Sequence, residues 1–547
     1  RPARGDWPGV GRRGVAAAGR TLPFLVAVLT AYWVAVPNGM PCRAAQPAAA
    51  DPAPETPKPK AQLDLRSLPG FEPTREPLPE MAFENELMTE EEEKGFQRSP
   101  DPKTRPRLFV FRDALRATPL SEAHRKAIAE GARWYIARFT MPKYRNSLFK
   151  LRQEIQRDIR MFAKSEAARQ YFLAQLTNAA EEIIEPRKFK ITHDHKQDIT
   201  IEITEFDKEG KETSRTVKAK DVNELNALRQ KDPVAVALFE RYADRKLHFG
   251  GNGGAQNFLV RLNALLLLTE LNSKDGNLMK GIPPVPYVPA GRVFLGVLND
   301  PAQHEALRIP AVKGLARICL YGGLPRNDKL RAQVVDTFVR ELSRKDIHWW
   351  YRKVLIEGLG ASGVLYGSDR GTAPIVAQTL AEHLADPKRA WEVRAAAARA
   401  LARAPLDNKI NIDPIIYAIV NLGHQMAQQY NKKPSPFPWL NCYLDLYFAF
   451  KPISPDEKTS DGRKTAGFMA SAGSNKKVQE AYNQLVPIIR YVLRVQGQRR
   501  IPKDRVAALA NWLKNNQPGS FSIVPDGKPI VPASATTSKS DRLIAAP

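Results

Sequence analysis

The sequence predicts a mainly α-helical protein: a solenoid of paired helices, a helical region before it, and a small β-hairpin inserted into that region. Three observations predict this. Apolar residues recur at spacings of three and four through most of residues 119–515, the period of a helix with one buried face. Helical runs led by an arginine recur across residues 256–430. Strict alternation, the period of a strand, is confined to a stretch near residues 188–218. The composition agrees. In 547 residues, 43% hydrophobic and 26% charged side chains exclude a polytopic membrane protein, a collagen-like chain and a wholly disordered one. Three cysteines exclude a disulfide-dense scaffold.

Residues 1–50 read as a signal peptide. Arg12, Arg13 and Arg20 precede an apolar run from Leu22 to Val36, and Ala48, Ala49 and Ala50 stand before Asp51. A positive start, a short apolar middle and a small-residue exit form the pattern removed on export. The run falls short of the ~20 residues of a membrane span, though an uncleaved anchor is the alternative. Cys42 follows Pro41, where a lipoprotein signal needs a small residue. The expected location is therefore secreted, periplasmic or cell envelope.

Residues 51–118 read as a proline-rich and acidic leader, with Pro52, Pro54, Pro57 and Pro59 and then the run Glu90 to Glu93. That run reads as a solvated helix end or loop; a tether onto a basic body is the alternative. Residues 119–250 read as helical. Ser121 caps a run through Ile128, Trp134, Tyr135 and Phe139, and the stretch Tyr144 to Ile184 breaks into two helices near Ser165. Ile199, Ile201 and Ile203 alternate, Asp207 to Gly210 form a turn, and Thr213 to Val217 return. Such a hairpin must lean on neighbouring helices. His193 and His195 share one strand face, a spacing that suits a metal, but with no cysteine near them they read as polar residues of a strand edge. The glycines around Asn252 lack the lysine and hydroxyl of a phosphate loop and read as a connection.

The clearest signal is the repeat. Val260-Arg261, Leu307-Arg308, Tyr351-Arg352 and Val393-Arg394 each open a helical run, with the arginines 47, 44 and 42 residues apart. Partner helices precede three of them, at Arg292 to Leu298, Lys329 to Leu342 and Ala373 to Leu384. This pattern resembles the HEAT-repeat family. Trp391, Val393, Arg394, Ala396, Ala397, Ala400 and Leu401 match it best, while Pro310 and the Trp349-Trp350 pair depart from it. The resemblance implies antiparallel helix pairs over residues 256–430, each burying its neighbours' apolar surface. A bundle without true repetition is the alternative. The signal segment, basic body and proline-rich flanks together resemble exported bacterial proteins, which implies no activity.

Residues 431–515 read as an aromatic segment from Trp439 to Phe450, a linker, and helices at Tyr482 to Val495 and Val506 to Leu513. Residues 516–547 read as a flexible tail. No CxxCH, HExxH or GxSxG motif occurs, and the sequence assigns no catalytic, cofactor-binding or metal-binding residue. Two aromatic groups are candidates for an interaction surface: His348, Trp349, Trp350 and Tyr351, and Trp439, Tyr443 and Tyr447. Core packing is the alternative for both. Cys319 and Cys442 read as buried free thiols, with a disulfide as the alternative. The formal net charge is +25, of which residues 51–547 carry +20. Such a body attracts an acidic polymer or an anionic membrane surface, although no specific nucleic-acid motif is present. The favoured function is a noncatalytic extracytoplasmic scaffold or protein-interaction module with a protein partner. A polyanion or nucleic-acid binder and an enzyme accessory domain are the alternatives.

Overall fold

A computed structural model describes residues 85–530 except 100, 102, 193–197, 207–210, 369–372, 452–466, 473–474 and 526. The expected signal peptide, the proline-rich part of the leader, and His193 and His195 lie outside the described residues.

The described chain opens with α1 (Glu90–Gln97) and α2 (Arg107–Ala114). Thr89 and Glu92 form a capping box on α1, and its glutamate-rich first turn faces the positive end of the helix dipole. The acidic run is more than a solvated helix end. Glu93 turns inward, 2.9 Å from Arg138 and 2.5 Å from Lys143, and ties α1 to the basic body. On α2, Phe111 is fully buried. It fits because Gly131 opposite has no Cβ; one there would lie 2.2 Å from the Phe111 ring.

Three longer helices follow: α3 (Glu122–Ala137), α4 (Leu148–Phe162) and α5 (Glu166–Ile184). Ser121 caps α3 by accepting from the His124 N–H at 3.2 Å, and Ser165 caps α5. The insertion comes next. Strands β1 (Lys188–Thr192), β2 (Ile199–Phe206) and β3 (Glu212–Ala219) form an antiparallel sheet in that order. The hairpin is therefore a three-stranded meander, because Phe189 to Ile191 pair along β2, with Phe189 opposite Ile203. Alternation puts Phe189, Ile199, Ile201 and Ile203 on one face, where they pack on Leu225 of α6 (Val222–Ala227) and on Leu238 and Tyr242 of α7 (Pro233–Tyr242). These residues make a small core of their own.

The repeat region holds α8 (Phe258–Glu270), a short ribbon of β4 (Asn272–Lys274) and β5 (Val285–Pro286), then α9 (Gly291–Asn299), α10 (Glu305–Tyr321), α11 (Lys329–Ser343), α12 (Trp349–Ala361), α13 (Ile375–Ala385), α14 (Trp391–Arg403) and α15 (Asp413–Lys432). After it come α16 (Trp439–Phe450), the one-turn α17 (Phe468–Ser471), α18 (Lys476–Val495) and α19 (Lys503–Asn515). Helices pair in sequence as α9 with α10, α11 with α12, α13 with α14 and α15 with α16, and the pairs stack in two layers. One layer runs α8, α10, α12, α14, α16, α18; the other runs α9, α11, α13, α15. The first layer continues back through α5 to α3. One core extends along the stack from Phe96 to Ile530. The fold is a helical solenoid with HEAT-like pairing and a small antiparallel sheet inserted before it.

The recurrent arginines explain the turn between paired helices. The last carbonyls of a helix have no intrahelical donor, and an arginine early in the following helix supplies one. Arg308 donates to the carbonyls of Asp300 and Gln303, at 2.9 and 3.2 Å. Arg352 donates to those of Leu342 and Arg344, at 2.9 and 3.0 Å. Arg394 reaches the Leu384 carbonyl at 3.0 Å, and Arg261 reaches that of Ile184 at 3.2 Å. The remaining donors turn to the next unit: Arg308 to Glu341, Arg352 to His383 and Arg394 to Gln425. The first layer packs closely at its small residues; a Cβ on Gly360 would lie 2.7 Å from Ala400. Pro310 is buried inside α10 without ending it.

The segment expected as a flexible tail begins otherwise. Ile523 and Ile530 are buried, and the Asn411 N–H donates to the Ile523 carbonyl at 2.8 Å. Gln378 on α13 donates to the Lys528 carbonyl at 2.9 Å. Two isoleucines with apolar sites to fill hold this stretch on the body at Ile523 and Ile530.

Candidate functional site

The structure separates the aromatic residues singled out in the sequence. His348 caps α12: its Nδ1 accepts the Trp350 N–H at 3.2 Å, while its own N–H donates to Glu305. Trp349 is half-buried and Trp350 is 42% exposed. Tyr351 is fully buried, and its hydroxyl donates to Glu341 at 3.1 Å. Trp439 and Tyr443 are buried as well, with Trp439 against Trp391 and Tyr430. Tyr351, Trp439 and Tyr443 therefore offer no accessible surface, because helical spacing turns them into the core between stacked pairs. Tyr447 is half-buried. The α12 group and the α16 group do not adjoin, since α14 lies between them.

A polar cluster does join the three helices, on their side away from the second layer. On α12, Lys353 pairs with Glu357 at 3.5 Å and sits 5.7 Å over the Trp350 ring. Arg399 of α14 pairs with Asp445 of α16 at 3.0 Å and lies 5.3 Å over the Phe448 ring. These four charged side chains are only 9–17% exposed. Burial pushes the Glu357 carboxyl above its usual range, against the pull of Lys353. Glu392 is raised the same way. Burial opposes the Lys353 charge, but Glu357 outweighs it and the ammonium is held more firmly than usual. The result is a charge-balanced, largely desolvated patch with aromatic rims at Trp350 and Phe448. Sequence reading found Trp350 but missed Lys353, Arg399 and Asp445, which are far apart in the chain and become one site only through stacking.

Another charge-rich region is a clasp between the inserted sheet and the solenoid. Arg187 forms a two-pronged bond to Asp300 at 2.7 and 2.8 Å and also meets Glu185. Arg245 and Arg292 both reach Glu181. Glu182 accepts the N–H groups of His248 and Phe249; burial raises its pKa to about 7 and lowers that of His248 to about 4. The adjoining glycine loop is a packed connection. A Cβ on Gly254 would strike the Arg187 carbonyl at 1.7 Å, and Gly251 has φ +83°.

Cys319 and Cys442 are free and buried, and burial raises the Cys319 thiol to about 11. Among the described residues no group of three or more His, Cys, Asp or Glu is placed to hold a metal, and no helix is long and apolar enough to cross a membrane. Fold and patch together define a repeat-type helical solenoid with a largely buried polar cluster, an architecture of the protein-interaction kind. Compared with known proteins, the chain matches no family model, no curated protein and no solved structure.

Proposed function

We propose that the protein is a noncatalytic extracytoplasmic scaffold of the HEAT-repeat type, which binds a protein partner along the exposed side of α12, α14 and α16. The Trp350–Lys353–Glu357–Arg399–Asp445 patch carries this reading. It spans three consecutive repeat units, as a stacked array offers a partner an extended surface built from many side chains. Its charges are already paired and its rings already positioned, so little side-chain ordering remains to oppose association. Export is supported by the Arg20-to-Ala50 pattern and predicts a native N-terminus between residues 44 and 52.

Site-specific photo-crosslinking in envelope fractions tests the reading. A crosslinker at Trp350 or Phe448 should capture the same protein, and one at the exposed Gln333 of α11 should not. Equal capture at all three positions would overturn it. So would turnover of a defined substrate that a Glu357→Gln variant abolishes.

A further inference from the structure

A second surface, separate from the patch, lies where the chain leaves α15 and again where it leaves α18. Segments 432–438 and 490–505 carry eight lysines and arginines against one acid, Asp504. Ser435 and Pro436 meet Gly497 so closely that a Cβ there would lie 2.2 Å from the Pro436 nitrogen. The two segments therefore form one surface. Lys432, Lys433, Arg494, Arg499, Arg500 and Lys503 are all exposed on it. None of the six has an ion-pair partner among the described residues. Arg494, Gln496, Gln498 and Arg499 surround an open cavity of about 260 Å³.

The loop that bears the cavity is held in place. The Tyr430 hydroxyl donates to the Arg499 carbonyl at 2.9 Å and the Tyr491 hydroxyl to the Arg500 carbonyl at 3.0 Å. Asn431 and Ile501 exchange two further bonds, at 2.9 and 2.7 Å. These contacts occupy carbonyl oxygens that would otherwise repel an anion. They leave guanidinium and amide donors around the cavity, the groups that bind phosphate oxygens.

Helix ends account for only part of the charge. Lys432, Lys433 and Arg494 stand at helix C-termini, where cations are favourable. Arg499 and Arg500 lie beyond that turn. Lys503 opens α19, whose N-terminal end has no side-chain cap and carries Asp504 in its first turn.

Beside these cations Phe437 is 58% exposed. A lone exposed ring amid cations suits insertion among headgroups, while a single-stranded nucleic acid is held by successive rings along a groove. We propose that this surface docks the protein on an anionic phospholipid membrane, with a headgroup phosphate held by Arg494 and Arg499 and with Phe437 entering the interface.

Co-sedimentation of the full chain with vesicles tests the proposal. The chain should bind phosphatidylcholine vesicles that contain phosphatidylglycerol, not those of phosphatidylcholine alone, and salt should release it. R494Q combined with R499Q should weaken binding roughly thirtyfold, taking about 1 kcal/mol per surface cation. Phe437→Ala should weaken it further, with the salt dependence unchanged. A control with the same charge loss at the exposed Lys388 and Lys409 should bind like the wild type. The proposal is overturned if the control loses as much as the double variant, or if inorganic phosphate at vesicle-equivalent concentration displaces the chain. Binding of a single-stranded oligonucleotide in place of vesicles would also overturn it. Since none of these residues belongs to the α12–α16 patch, a failure here leaves the protein-binding reading standing, and the reverse.

Discussion

Removing the repeated arginine should have very different consequences in two units that look alike in sequence. In Arg308→Met, the lost side chain is 5% exposed, bonds Glu341 at 2.7 Å, and serves the carbonyls of Asp300 and Gln303. Glu341 stays buried, with Arg344 at 3.0 Å and the Tyr351 hydroxyl at 3.1 Å as its remaining partners. Breaking a buried ion pair from one side costs about 3–5 kcal/mol, and those remaining partners place this loss near the lower figure. Arg394 forms no ion pair among the described residues. It bonds the Leu384 carbonyl and the Gln425 side chain, each at 3.0 Å, and its Nη2 has no partner. Burial lowers its pKa to about 10, which corresponds to roughly 3 kcal/mol against holding the charge inside. That penalty offsets the two hydrogen bonds, so Arg394→Met should cost about 1 kcal/mol or less. Urea denaturation of the full chain, followed by circular dichroism, reads both losses as midpoint shifts. Glu341→Gln added to Arg308→Met should restore part of the loss, because the stranded charge is gone. Equal losses at the two arginines, or no recovery in the double variant, would refute the reasoning.

Two further outcomes follow from the packing and the clasp. Gly360→Leu forces a side chain against Ala400 and should lower stability by about 2 kcal/mol or more, while Gly519→Ala, which faces open space, should leave the melting temperature unchanged. The Glu182 pKa is raised from 4.5 to about 7, so its contribution is present below the unfolded value and lost as pH rises through about 7. The His248 pKa is lowered from 6.5 to about 4, so its contribution is lost as pH falls below 6.5. The two oppose each other between their windows, in the presence of Arg133 and Glu181. Glu182→Gln should therefore make the melting temperature climb more steeply from pH 4.5 to 6.5 than it does in the wild type; parallel profiles would count against the assignment.

The sequence by itself determined the helical class, the paired repeat and the place of the inserted strands, because these rest on periodicity within one segment. Amphipathic spacing of three and four can be satisfied only by a helix with one buried face, and the alternation of Ile199, Ile201 and Ile203 only by a strand. The arginine spacing even marked the residues that later close the turns at Asp300, Leu342 and Leu384. Tertiary structure alone decided which aromatic residues face water. Trp350 and Tyr351 are neighbours in the chain, yet one is 42% exposed and the other fully buried, because a rotation of about 100° per residue separates two faces of the same helix. It alone turned Glu93 inward to Arg138 and laid Ile523 against the body. It also gathered Lys353, Arg399 and Asp445 into one patch, and Lys433 with Arg499 onto one surface. Stacking sets those distances, and residues about a repeat length apart carry no local signal that their side chains will meet.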